Sequence, residues 1–291
     1  MGIVENGSEQ LVAIENPWNA VGWFEVRTAF ELFNRAQYSN AAKVLSELLQ
    51  KVQAHEVRVI VEFLRDIMQA VADWDAFQHA RALKAMERAV RELPKVQGLI
   101  EAEFPELHLL LEWLETARDH LRALKIAKDG ALPLSEPLCE ELLSNALRRA
   151  RLEGKYEDAT ARLYSLFEKE VKRRLLEQHN LDNSACLLDS IPETIRDDYS
   201  RYADEKNVCR FGLKGTVHLL QALGSQDLFV ERYLEKEKEI DRAIGARNAS
   251  ILGHGTQPIT EAKFDELLIL VLFVLGVKED EVLCIPKIQK S

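Results

Sequence analysis

A chain of 291 residues, 47% hydrophobic and 30% charged, has the composition of a globular protein and room for two domains or one large helical one. Its formal charge of −10, shared evenly by the halves on either side of residue 130, excludes a protein that coats nucleic acid through bulk electrostatics. Any contact with RNA must be local, and the dense basic runs, Arg148-Arg149 with Arg151 and Lys172-Arg173-Arg174, are of the kind that usually forms solvated helix faces.

Leu, Ala, Glu and Arg dominate, and Gly and Pro fall mainly between periodic segments, so the chain reads as all-α. No strand-helix-strand alternation is visible, and no Gly-rich turn follows an apolar strand, which argues against a nucleotide-binding α/β domain. The start, Met1-Gly2-Ile3-Val4-Glu5, lacks the basic and apolar regions of a signal peptide. From Asn19 to about Lys128 the pattern predicts successive antiparallel helices. Phe24, Ala29, Leu32 and Phe33 make a first stripe, and Ala41, Val44, Leu45, Leu48, Leu49 and Val52 a second. Val57, Ile60, Val61, Leu64 and Ile67 make a third, and Leu107 to Leu121 carries another, with Pro94 and Pro105 read as helix starts. The corner Arg35-Ala36-Gln37-Tyr38-Ser39-Asn40-Ala41 has an echo at Glu153-Gly154-Lys155-Tyr156-Glu157-Asp158-Ala159, one local solution used twice rather than a repeat of regular period.

Lys128-Asp129-Gly130, Pro133 and Pro137 break the pattern and place a boundary there. The expected organisation is a helical, linker-like region over 1–130 and a helical bundle over 131–291. In the second part, helices are expected over Cys139 to Leu152, about Glu157 to Gln178, Thr216 to Leu223, about Leu228 to Leu252, and Glu261 to Leu275. The stretch Asn180 to Leu213 has weak periodicity. Thr260 is placed to cap the last helix, with Ile259 and Phe264 as a hydrophobic staple. Ile269, Leu270 and Val274 extend its apolar surface beyond one stripe, as a bundle centre or a dimer interface requires. The run Leu267 to Val277 is too short to span a bilayer. The four cysteines are far apart, show no metal-ligand spacing and fit a reduced, cytoplasmic protein.

The sharpest chemical signal is Arg247-Asn248-Ala249-Ser250-Ile251-Leu252-Gly253-His254-Gly255. The arginine and the histidine are separated by close to two helical turns, which on one continuous helix puts both on one face. A guanidinium that forks onto phosphate oxygens, beside an imidazole that moves protons near neutral pH, is a workable pair for phosphodiester chemistry. For an arbitrary pair at this spacing, a surface arginine and a helix-capping histidine is the ordinary explanation. The Asn and the flanking glycines favour a site. His55, His79, His108, His120, His179 and His218 lack such surroundings and read as structural.

This segment resembles the signature of HEPN-domain ribonucleases, an arginine commonly followed by a polar residue and then, after four to six positions, a histidine. Its wording is similar to that of type III CRISPR-associated CARF–HEPN effectors. Asp158-Ala159-Thr160-Ala161-Arg162-Leu163-Tyr164 resembles their first long HEPN helix. Phe211-Gly212-Leu213-Lys214 and Leu219-Leu220-Gln221-Ala222-Leu223-Gly224 resemble their middle segment. Asn16-Pro17 and Glu31-Leu32-Phe33-Asn34-Arg35 through Leu45 resemble the helical region between CARF and HEPN. The resemblance covers most of the chain and is specific at the Arg/His segment.

The resemblance implies a HEPN-like bundle and metal-independent cleavage of single-stranded RNA through the 2′-hydroxyl, in antiviral defence, at a site shared across a homodimer. Arg247 would bind the scissile phosphate, His254 act as general acid or base, and Asn248 orient the histidine or donate to a phosphate oxygen. Gly253 and Gly255 would let the backbone turn and RNA approach, with Ser250, Glu168 and Arg162 as supporting residues. No cofactor, metal, DNA or membrane is expected. There is no room for a CARF sensor before Asn16, so the expectation is a separate regulatory or sensor protein, or a shortened relative. A HEPN toxin held by a partner and a non-catalytic helical adaptor are the competing readings.

Overall fold

The computed structural model describes residues 17–250 and 256–289. Among them are twelve α-helices and one pair of two-residue strands, so the all-α expectation holds. No helix among the described residues is long and apolar enough to cross a membrane. The chain divides into two compact units. One extends to Arg118 and takes back the segment from Pro286, and the other covers Asp119–Ile285.

The first unit is built from α1 (Pro17–Asn34), α2 (Tyr38–Leu49), α3 (His55–Asp75), α4 (His79–Glu103) and most of α5 (His108–Ala123). α1 packs on α2, α2 on α3 and α3 on α4, as the short connections require. The periodic residues meet inside: Val26, Ala29, Phe30 and Phe33 of α1 are buried, as are Leu45 and Leu48 of α2 and Ile60, Leu64 and Ile67 of α3. Aromatic contacts tie distant elements, with Phe30 edge-on to Phe104 at 5.3 Å and Trp74 stacked on Trp113 at 5.4 Å. Asn34 also grips the returning C-terminal segment, its Nδ2 donating to the Ile288 carbonyl (2.7 Å) and its Oδ1 accepting from the Ile288 amide (2.8 Å).

Two expectations fail here for plain reasons. Phe24 is 76% exposed, because the buried face of α1 is set by Val26, Ala29, Phe30 and Phe33. Pro94 lies inside α4 rather than at a helix start, whereas Pro105 opens a 3-10 turn that leads into α5.

The corner motif occurs more often than the sequence shows. The chain leaves α1 through Ala36 at φ 57° and α3 through Phe77 at φ 60°, each closed by the next amide: Gln37 onto Leu32 O and Gln78 onto Asp73 O. The third copy turns at Gly154 (φ 65°), where the Lys155 amide reaches Arg149 O. All are left-handed helix exits, which cost nothing sterically only at the glycine.

The second unit contains α6 (Glu136–Arg151), α7 (Tyr156–His179), α8 (Glu193–Ser200), α9 (Leu213–Ala222), α10 (Leu228–Glu235), α11 (Glu237–Asn248) and α12 (Glu261–Leu275). The long α7 is central and packs on α6, α9, α11 and α12. Its Phe167 lies edge-on to Phe229 (6.2 Å) and Tyr233 (5.9 Å). In the weakly periodic stretch, β1 (Cys186–Leu187) pairs antiparallel with β2 (Val208–Cys209) across α8, a ladder too short to leave an alternating pattern. The helix expected over Leu228 to Leu252 is two helices. It breaks at Lys236 (φ −106°, ψ 13°), where no Pro or Gly marks the change, and α11 ends at Asn248 with Ala249 as its cap. The last helix has the expected bounds, and Thr260 Oγ1 accepts from the Lys263 amide.

The basic runs are committed to carboxylates. Arg148 is buried on Glu141 (2.9 Å), and Arg151 bonds Asp265 (2.7 Å) and Glu279 (3.0 Å). Arg173 and Arg174 both hold the buried Glu170, and Lys172 pairs with Asp182. Several of these pairs brace a single helix, while Arg151–Asp265 joins α6 to α12 and Arg174–Asp227 joins α7 to the start of α10.

Candidate functional site

Arg247 stands in the last turn of α11, half-buried where that helix packs on α7. Its guanidinium lies over the Tyr164 ring, 4.7 Å from the centroid, and its Nη1 donates to Asn248 Oδ1 at 3.1 Å. No carboxylate pairs with it among the described residues, in contrast to Arg148, Arg149, Arg151, Arg173 and Arg174. A guanidinium held by a ring and an amide keeps its positive charge uncompensated, the state in which it binds an anion best.

Tyr164 and Glu168 are one turn apart on α7, so the carboxylate's charge stands near the phenol. Burial, and then the Glu168 charge, push the phenol up to about 12 against the opposing pull of Arg247. The tyrosine therefore stays protonated near neutral pH and acts as a fixed wall for Arg247. Sequence reasoning picked out Glu168 and missed Tyr164, although the i, i+4 spacing from Glu168 was there to find it.

Asn248 is exposed beside the arginine, with its oxygen turned to the guanidinium and its amide nitrogen left as a donor. Ser250 is buried, its amide donating to the Arg247 carbonyl (3.0 Å), and it forms a parallel bridge with Gln257. Two residues on, the Ile259 amide donates to Glu157 Oε1 at 3.1 Å, which returns the chain to the first turn of α7. Ser250 therefore supports the backbone, with its side chain turned away from solvent.

Arg162 is not brought to this cluster. It lies two residues from Tyr164, on the far side of α7, and donates to the carbonyl and carboxylate of Asp158. His254, Gly253 and Gly255 lie outside the described residues. Because α11 ends at Asn248, the argument that one continuous helix puts Arg247 and His254 on the same face does not apply.

An arginine with no carboxylate partner among the described residues, an exposed amide donor and an aromatic ring thus stand together at the end of α11. The bundle that carries them is a HEPN-type all-α domain. The Csm6 HEPN domain family matches residues 133–276, and the Csm6 6H domain family matches residues 22–115. These two matches cover most of the chain, which belongs to the CRISPR-associated, Csm6-like HEPN family. None of the curated proteins compared matches it.

Proposed function

We propose that this protein is a metal-independent endoribonuclease that cleaves single-stranded RNA through its 2′-hydroxyl in CRISPR antiviral defence. The observation that carries this reading is Arg247, braced on Tyr164 and free of any carboxylate partner among the described residues. Membership of a CRISPR-associated HEPN family supports the reaction class.

RNA brings its own nucleophile, so the protein must position it, move a proton and neutralise a charged phosphorane. Arg247 forks onto the scissile phosphate. Asn248 donates its free amide to a phosphate oxygen or to the histidine. His254 is the general acid or base, and Gly253 and Gly255 let the chain turn beside the strand. Glu168 acts through Tyr164, holding the ring on which the guanidinium rests. Ser250 holds the backbone that follows α11. The helical region 1–130 is read as the linker-like part and 131–291 as the nuclease part. No metal-bound water is required, because the attacking oxygen is the substrate's own.

The reaction needs both an acid and a base, and one Arg/His pair supplies a single proton-transfer group. A homodimer that sets two motifs against one strand provides both. The exposed Ile269 (66%) and Phe273 (38%), one turn apart on α12, are the surface that supports such an interface, while Leu270 and Val274 are buried within the unit. A separate sensor protein, acting in the cytoplasm with this chain, is the proposed source of activation.

The test is cleavage of a single-stranded RNA by purified protein in chelator, with His254→Ala and Arg247→Ala beside it. Cleavage by the wild type and its loss in both variants is expected. No cleavage by the wild type under any condition favours the adaptor reading, and cleavage that a partner protein blocks favours the toxin.

A further inference from the structure

We propose that the cavity between α8 and α9 is a subsite for one unstacked nucleobase of the RNA strand, beside the Glu237–Asp241 half of α11. The inference rests on the ribonuclease reading above and adds where a flanking nucleotide is held.

The cavity has a volume of about 360 Å³, within the usual range for small-ligand pockets. Tyr199, Arg201 and Tyr202 line it from the end of α8, and Lys214, His218 and Gln221 from one face of α9. The aromatic wall is fixed. Tyr199 donates its hydroxyl to the Gly215 carbonyl (2.5 Å) and lies edge-on to Phe211 at 5.1 Å. Tyr202 leans on the same Phe211, and the Arg201 guanidinium lies 4.8 Å from the Tyr202 centroid. Flat rings and a guanidinium plane are the surfaces on which unstacked bases rest. Gln221, exposed at the rim, offers both a donor and an acceptor to a base edge, and Asp198 offers acceptors.

Charge decides between a base and a phosphate. Lys214 is held by Asp241 (2.6 Å) and Glu237 (3.1 Å), and His218 Nε2 lies 2.6 Å from the same Glu237. The cavity's basic groups on α9 are thus paired with carboxylates of α11, and a second anion there would meet those carboxylates. Against the α9 wall a neutral, flat, polar ring fits better than a second anion.

Position links the cavity to the cleavage edge. Glu237, Asp241 and Asn248 share one face of α11, by their spacing of four and seven. Asp241 and Asn248 are about 10 Å apart along the axis at 1.5 Å per residue. Between them lies Gly245, which adds no side chain and has open space where a Cβ would sit. A strand with its phosphate on Arg247 would run along this face, past Ile244, to reach the cavity.

The test is fluorescence anisotropy with uncleavable 2′-fluoro oligonucleotides of three and eight nucleotides. Two variants of exposed rim residues are compared: Ala222→Phe, which fills the mouth, and Gln221→Ala. Lengthening the oligonucleotide should tighten binding to the wild type, and Ala222→Phe should lose about tenfold of that gain, the order of one base stack. Gln221→Ala should change the preference among the four homopolymers. Thermal unfolding checks that both variants fold. A 4-thiouridine placed in the flanking nucleotide should crosslink to the 193–222 segment of the wild type, which keeps the question open to refutation if Ala222→Phe misfolds. Octamer binding identical in wild type and variants, no binding at all, or crosslinks only elsewhere would overturn the subsite. RNA cleavage by a wild type whose variants bind unchanged leaves the nuclease reading standing without the subsite. Base-dependent binding with no cleavage leaves the subsite without the nuclease.

Discussion

Arg247 keeps its charge by resting on a ring instead of a carboxylate, and the consequences can be separated one side chain at a time. His254→Ala should lower the cleavage rate by about 10² to 10⁴, the usual worth of a general acid or base, with no shift in the thermal midpoint. Arg247→Lys should also be severely impaired, since one ammonium cannot reproduce a bidentate contact. Tyr164 divides the ring from the hydroxyl. Tyr164→Phe keeps the surface under the guanidinium and should stay within a few fold of wild type. Tyr164→Leu removes the cation–π brace, worth about 0.5–1 kcal/mol at exposed sites, and should lose several fold in kcat/KM. Equal effects of the two would show that the hydroxyl, not the ring, is what matters. Because the phenol is pushed up to about 12, no tyrosine ionisation should enter the pH–rate profile near neutrality.

The elements carry their own expectations. Ala36 turns at φ 57° in the corner where Gly154 does the same work, so Ala36→Gly should raise stability by about 0.5–1 kcal/mol. Gly276, at φ 73°, ends α12 against Arg232, and a Cβ there would meet Nη1 at 2.0 Å; Gly276→Ala should destabilise by at least a comparable amount in denaturant titration. Glu170 gives the acid response. Burial pushes its carboxyl up, and Arg173 and Arg174 pull harder, holding it below 4.5. A carboxylate depressed in the folded state stabilises the fold above its unfolded value and loses that contribution as pH falls. Stability should therefore drop as the pH falls below about 4.5, and Glu170→Gln should flatten that drop. At this scale the sequence was readable where periodicity was strong: α2, α3 and α12 appear with their stripes buried, and Thr260 caps as its type predicts. It was not readable where tertiary contacts decide. The break at Lys236 has no local breaker, the β1–β2 pair is too short for alternation, and the exits at Ala36 and Phe77 use residues that do not announce a left-handed turn. The site divided in the same way. Arg247 and Asn248 stood out by type and spacing, and Glu168 through the resemblance. Tyr164 shares an i, i+4 spacing with Glu168, but its role under Arg247 shows only in the packing of α11 on α7.

For the whole molecule, two families matched in succession along one chain, and a net-acidic surface whose basic runs are tied up in ion pairs, argue for a single local RNA edge. If that edge is shared by two copies, light scattering at micromolar concentration should give twice the chain mass, and Ile269→Asp with Phe273→Asp should lower both the mass and the cleavage rate. A monomer that cleaves at full rate would refute the shared site. The most direct test of the central claim is product analysis of a single-stranded RNA incubated in chelator with the wild type and with His254→Ala. The account predicts fragments ending in 2′,3′-cyclic or 3′-phosphate from the wild type, none from the variant, and none where the target 2′-hydroxyl is replaced by hydrogen. Cleavage that stops in chelator and returns with magnesium, or that proceeds unchanged in His254→Ala, would contradict it.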